Sequence, residues 1–152
     1  MDAGRVLQIG APTEIYDRPR TRFVADFIGD TNLLDLTVAP DGSGRLADGT
    51  VVRLPDDAPQ GGDRTAAIRP EKLGIVRRDA PRDPSLDAVV GTVQRRTFLG
   101  NALLYEVSVP AGGRAPMSIS VRQGNAPGIE HVEVGEPVRV RWSPASLAVL
   151  ED

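Results

Sequence analysis

The chain of 152 residues contains no cysteine, one histidine (His131) and one lysine (Lys72). Without cysteine there is neither a disulfide framework nor a thiolate zinc site. A lone histidine cannot build a metal site with its usual partners, and a Ser-His-Asp triad would need it placed by a rigid scaffold. His131 sits in the polar stretch 128–133, which reads as an exposed loop. The single lysine follows Arg69-Pro70-Glu71 with no glycine-rich loop before it, which excludes a phosphate-cradling P-loop. No run approaches the roughly 18 apolar residues of a membrane span. No secretory signal precedes the first apolar stretch, so the expected location is cytoplasmic. Aromatic residues make up 4%, and the net charge of −3 carries no basic cluster, so nothing marks a nucleic-acid face.

What is present changes character at Gly29. Before it, Val6, Leu7 and Ile9 form a short apolar strand that Gly10 terminates. Pro12 suits the first turn of a helix, where a missing N–H costs nothing, and Glu14 favours the positive end of its dipole. Pro19 stops that helix at or before Arg18. Thr21 can cap a second helix whose Phe23, Val24, Phe27 and Ile28 share one face, with Gly29 as its C-cap. Only three residues precede this stretch, so on this reading most of the domain it closes is missing.

Beyond Gly29, short runs rich in Val, Ile, Leu and Thr alternate with Gly, Pro and Asp clusters, as in a barrel or sandwich. Strands are expected over 34–39, 44–46, 51–54, 65–69, 74–77, 88–99, 102–109, 116–122, 137–142 and 148–150. Asp41-Gly42 and Asp48-Gly49 are hairpin dipeptides, and Gly100-Asn101 joins the two longest strands. Ala111-Gly112-Gly113 reads as another turn. Residues 56–63 and 79–85 read as surface loops, the second a boundary between two halves. Those halves share a pattern. Pro70, Leu73 and Ile75 recur as Pro144, Leu147 and Val149, with Gly62 and Gly135 eight or nine residues before each proline. A duplication requires each proline to end a strand, outside any helix, and both leucines to be buried.

The stretch from Gly4 to Gly29 resembles the hinge of importer-type ABC ATPases of the polyamine, sugar and iron uptake class. There the ATPase core passes into a C-terminal β-barrel. Arg69-Pro70-Glu71, Gly91-Thr92-Val93, Phe98-Leu99-Gly100-Asn101 and the closing run from Val138 through Trp142, Ser143-Pro144 and Leu150 are similar to the transport-associated OB-type barrel, the TOBE domain. Ala11 departs from the hinge pattern, which has a hydroxyl cap there, and should weaken the helix start by about 1 kcal/mol. The ending resembles the polyamine and iron side of the family more than the maltose side. The resemblance implies a mainly β, OB-like (MOP/TOBE-type) barrel over residues 30–152. Before it, residues 1–29 would hold the end of an ATPase domain and the hinge, as a short strand and two short helices. It implies a regulatory and dimerisation role in a homodimeric ATP-binding subunit at the inner face of the plasma membrane, with permease subunits as partners. ATP and magnesium would belong to the parent; the ABC signature, acidic strand end and histidine switch are absent here. This chain alone is therefore expected to hold no cofactor, to hydrolyse nothing, and to insert in no membrane.

No residue set stands out as catalytic or metal-binding. Glu71 could act as an acid or a ligand, though beside Arg69 it reads as half of a weak local ion pair. Asp56-Asp57 and Asp79/Asp83 lack the spacing of a calcium loop. Phe98, Leu99, Gly100 and Asn101 can line a small-ligand pocket at the barrel mouth; core packing and a turn are the plainer roles. Phe23 and Phe27 are the candidate interface of the hinge. A free-standing OB module binding a small ligand or an oligonucleotide is the alternative. Six aromatic residues and an acidic balance argue against the oligonucleotide.

Overall fold

The computed structural model describes Thr21 and residues 31–55, 58–59, 61–111, 114–124 and 131–150. The strand and helices expected before Gly29, with Phe23 and Phe27, lie outside the described residues. Every strand expected beyond Gly29 is present. In order they are β1 (Asn32–Val38), β2 (Gly44–Leu46), β3 (Val51–Val52), β4 (Gly62–Ile68), β5 (Gly74–Arg77), β6 (Asp87–Phe98), β7 (Ala102–Ala111), β8 (Arg114–Gly124), β9 (Pro137–Trp142) and β10 (Ala148–Val149). Alternation explains them. Leu34, Leu36 and Val38 of β1 are buried while Asp35 and Thr37 face out, and Leu103, Tyr105, Val107 and Val109 do the same for β7.

Two five-stranded antiparallel sheets result, ordered β10-β4-β1-β2-β3 and β5-β9-β6-β7-β8. Their correspondence is complete. Each half supplies a meander, β1-β2-β3 or β6-β7-β8, and a fourth strand that pairs with the first. The fifth strand of each sheet comes from the other half: β10 pairs with β4, and β5 with β9. One core spans both sheets, holding Leu34, Leu36 and Ile68 with Val93, Val107, Val140 and Trp142.

The crossings are the two proline motifs. Leu73 and Leu147 are 5% and 1% exposed, as the repeat requires. The condition on the prolines is not met, because each opens a one-turn 3-10 helix, Pro70–Lys72 and Pro144–Ser146. The first helical position tolerates proline, since its amide would have no partner there. Both turns share one geometry. Arg69 and Ser143 precede them at φ −73°, ψ 143° and φ −73°, ψ 134°, and the amides of Leu73 and Leu147 close them at 3.3 Å. The helical turn is a feature the halves have in common, so excluding helix was the wrong condition; the strand exchange carries the repeat.

Two close fits hold the second sheet. A Cβ on Gly91 would lie 2.5 Å from the Ser108 carbonyl oxygen and 2.7 Å from Val107 Cγ1, so β6 crosses β7 where only glycine fits. β8 is an edge strand, and the carboxamide of Asn32 from the other sheet covers part of it. Asn32 Nδ2 donates to the Ser120 carbonyl and the Ser120 amide donates to Asn32 Oδ1, both at 2.8 Å. The Asn32 side chain thus takes the place of a neighbouring strand.

Candidate functional site

Among the described residues, the hairpin between β6 and β7 is one of the expected sites that lies exposed. Leu99 N–H donates to the Ala102 carbonyl at 2.8 Å, leaving Gly100 and Asn101 as a two-residue turn, and Gly100 takes φ +87°. Phe98 is 65% exposed and Leu99 42%, so core packing is not their role. The reason is strand length. β9 accompanies β6 only as far as the Thr92–Pro137 pair, and a bulge follows between Val93 and Arg95. Phe98 pairs with Leu103, which pairs with Gln123, so the three form one row on the inward face. Leu103 is covered, whereas Phe98 projects past the end of β9. Arg96 anchors the base of this projection, donating to the Val132 carbonyl at 3.1 Å and pairing with Glu133 at 3.1 Å.

Glu71 stands exposed on the 3-10 turn, while Arg69, just past the end of β4, is 2% exposed inside the crossing between sheets. Its neighbour in the second crossing is Ser143, so this buried charge is not part of the repeat.

Two clefts were not foreseen. The larger, about 590 Å³, lies where the β2–β3 turn meets β6, β9 and the connection between the halves. Val51, Leu86, Ala88 and Val90 give it apolar surface, and Arg82, Arg139, Arg141, Asp48, Asp83 and Asp87 give it charge of both signs. Most of that charge is committed. Asp87 accepts from the Arg53 amide at 2.8 Å and from Arg53 Nε at 2.9 Å, and Arg139 Nη1 donates to the Ala80 carbonyl at 2.9 Å. Asp83 Oδ1 accepts from the Ser85 hydroxyl and amide, which hold its carboxyl below the ordinary range, with a smaller contribution from the Arg141 charge. Asp41 is lowered in the same way by Ser43.

The smaller cleft, about 280 Å³, opens between β5 and β9 on one side and the end of β8 on the other. Gly74, Ile75, Val76, Arg77, Gln123, Val132 and Arg141 line it. Arg77 is held at its edge: Nε donates to Glu136 at 2.6 Å and Nη2 to the His131 carbonyl at 3.4 Å. The Glu133 amide, then Arg77, lower the Glu136 carboxyl. His131 is exposed, as its polar surroundings suggest. Among the described residues no group of three or more histidines and carboxylates is placed to hold a metal. Asp56 and Asp57 lie outside them. Asn32, Asp87, Gln123 and Arg141 give no local signal in the sequence, because their roles depend on partners 34 to 88 residues away or on a cleft between strands.

Comparison with known proteins places this geometry. The family model described as TOBE domain matches residues 66–150. The spermidine/putrescine import ATP-binding protein PotA of Ruegeria pomeroyi is 34% identical over 157 residues, covering 100% of this chain and 40% of the relative. PotA of Pseudomonas aeruginosa strain UCBPP-PA14 is 38% identical over 149 residues, covering 93% of this chain and 40% of the relative. The chain thus spans about 40% of the length of these curated relatives. A molybdate-bound crystal structure of the cytoplasmic molybdate-binding protein ModG superposes with a TM-score of 0.62 at 13% identity, over 78% of this chain and 94% of that one. At that identity the likeness speaks for the fold alone, the expected OB-type barrel. The strand exchange, the proline crossings and a family match running from β4 to Leu150 agree: this chain belongs to the TOBE-domain family.

Proposed function

We propose that this chain is the regulatory and dimerisation domain of the ATP-binding subunit of an ABC importer, coupling ATP hydrolysis in its parent to solute transport. One observation carries the reading. Import ATP-binding proteins align across the whole chain, yet the chain covers only about 40% of each of them. ATP and magnesium belong to the remainder, and this barrel supplies neither phosphate loop nor catalytic base. Spermidine and putrescine name the first solute class to test, with iron and sugars as sister classes. The parent would sit at the cytoplasmic face of the membrane against permease subunits and function as a homodimer. Phe23 and Phe27 of the hinge are its candidate contacts, and the exposed Phe98-Leu99-Gly100-Asn101 tip offers another. Nucleic acid has no place in this reading.

The test is a graft. This chain replaces the corresponding region of the Pseudomonas aeruginosa relative, in cells lacking that relative, and spermidine uptake is measured beside ATP hydrolysis. Uptake above that of the truncated protein is expected. A chimera that folds and hydrolyses ATP but restores no transport would refute the assignment.

A further inference from the structure

We propose that the 590 Å³ cleft beside β6 and β9 binds a small organic monoanion, a carboxylate carried on a short apolar body. The residue that calls for an anion is Arg139. Its side chain lies in a residue only 9% exposed, yet its one hydrogen bond among the described residues goes to a neutral group, the Ala80 carbonyl. No carboxylate of the described residues pairs with it. A charge taken out of water is ordinarily met by a counter-charge, because burying it alone is costly. The acids that line the cleft are engaged elsewhere. Asp87 gives both oxygens to Arg53, at 2.8 and 2.9 Å. Asp83 Oδ1 accepts from Ser85 at 2.6 and 2.9 Å, and Asp48 Oδ1 accepts from the Thr50 amide at 2.9 Å. A counter-charge for Arg139 is left to come from a ligand.

The geometry narrows the ligand. Register sets Arg139 opposite Val90 and Arg141 opposite Ala88. These four therefore share the face of the sheet turned away from the core residues Val89, Val138 and Val140. The connection between the halves borders that face: Ala80 holds Arg139 through Nη1, and Arg82, Pro84 and Leu86 line the cleft beside the strands. With Nη1 taken, the Nε and Nη2 edge of Arg139 remains. Neither atom is among the enclosed polar atoms that lack a partner, so both reach open space. That edge is a planar fork of two donors, which matches a carboxylate. Val51, Leu86, Ala88 and Val90 supply an apolar wall for the rest of the molecule. The cleft equals the volume of about twenty water molecules in the liquid, enough for a chain of several carbons. Asp48, Asp83 and Asp87 on its lining limit the charge, since they repel a dianion such as phosphate more than a monoanion. This inference goes beyond the transport reading and does not depend on it.

Isothermal titration of the chain with hexanoate, beside acetate, inorganic phosphate and hexylamine, tests it. Hexanoate is expected to bind with a Kd at or below about 1 mM. Acetate lacks the apolar body, phosphate carries the second charge and hexylamine has the wrong sign, so each should bind at least about tenfold more weakly. Arg139→Met should weaken hexanoate binding by about tenfold or more. Arg139→Lys keeps the charge without the fork; it should weaken binding by a similar factor and serves if the methionine variant fails to fold. Val51→Asp is a further variant. Val51 is 55% exposed, so the substitution leaves the core intact while setting a carboxylate on the apolar wall, and hexanoate should bind it more weakly than the parent. Absence of any heat from hexanoate up to about 10 mM would overturn the proposal. Equal hexanoate affinity in the parent and the Arg139 variants would overturn it too, as would phosphate or hexylamine binding as tightly as hexanoate.

Discussion

Replacing Asn32 by alanine tests how the two sheets are locked. The side chain makes two hydrogen bonds of 2.8 Å to the backbone of Ser120, and Asn32 itself is 6% exposed. Each bond contributes about 1 kcal/mol net, and stranding the Ser120 amide and carbonyl adds a desolvation penalty, for a total of about 2–4 kcal/mol. For a barrel of this size that corresponds to a fall in melting temperature of roughly 6–12 °C. Urea denaturation followed by Trp142 fluorescence measures the loss, and amide exchange at Ser120 locates it. Two controls separate this lock from general damage. Ser120→Ala should change stability by less than about 0.5 kcal/mol, because only the backbone of Ser120 is used. Asn32→Asp keeps an acceptor for the Ser120 amide but sets a carboxylate against its carbonyl. It should be at least as harmful as alanine at neutral pH and recover as acid protonates it. If Asn32→Ala costs no more than Ser120→Ala, the side chain does not join the sheets and the reasoning is wrong.

Gly91→Ala should be more harmful than Gly44→Ala. The first Cβ meets a carbonyl oxygen at 2.5 Å, the second only side-chain methyls at 3.1 Å. A loss of about 2 kcal/mol or more for Gly91→Ala, read by urea denaturation, is expected; equal losses would remove the close crossing as its cause. Acid should weaken the fold through Asp41, Asp83 and Glu136. Their folded pKa values lie below the ordinary 3.8, 3.8 and 4.5, so their contribution is full above those values and fades as pH falls through the lowered ones. Removing Ser43, Ser85 and Arg77 as partners should flatten stability against pH below about 4.5; an unchanged profile would exclude them as the source.

The strand pattern was legible because strands such as β1 and β7 alternate, and glycine, proline or an aspartate that caps its own turn punctuates the strand ends. Asp41 and Asp48 do so at 3.0 and 2.9 Å, each accepting from the amide two residues on. The repeat was legible in Pro70 and Pro144, though not the helical turn each begins. The site was less so. Phe98 follows an apolar pattern into a place with no cover, because the stopping point of β9 is set by its partner and not by β6 itself. Gln123 and Arg141 look like ordinary strand residues. Only the approach of β5 and β9 to the end of β8 puts them on one cavity. Signals that belong to one strand survive in sequence; signals made by the gap between strands do not.

The exchange of β5 and β10 explains why the boundary of the family match is not the boundary of the folding unit. The match begins at residue 66, on the β4 residue that pairs with Val149 of β10. It takes in the whole second half and both crossings, but omits β1, β2 and β3. β4 would then lose the partner that meets it along seven residue pairs, from Asn32–Ile68 to Val38–Gly62. Its apolar face would lose Leu34 and Leu36, and the edge of β8 would lose Asn32. A strand with one two-residue neighbour and an open edge is a poor wall for a core. Because each sheet borrows its last strand from the other half, neither sheet is complete until both are formed. Among the described residues, the unit that buries this core therefore takes in both halves, with the first meander as essential to the matched region as the matched region is to it.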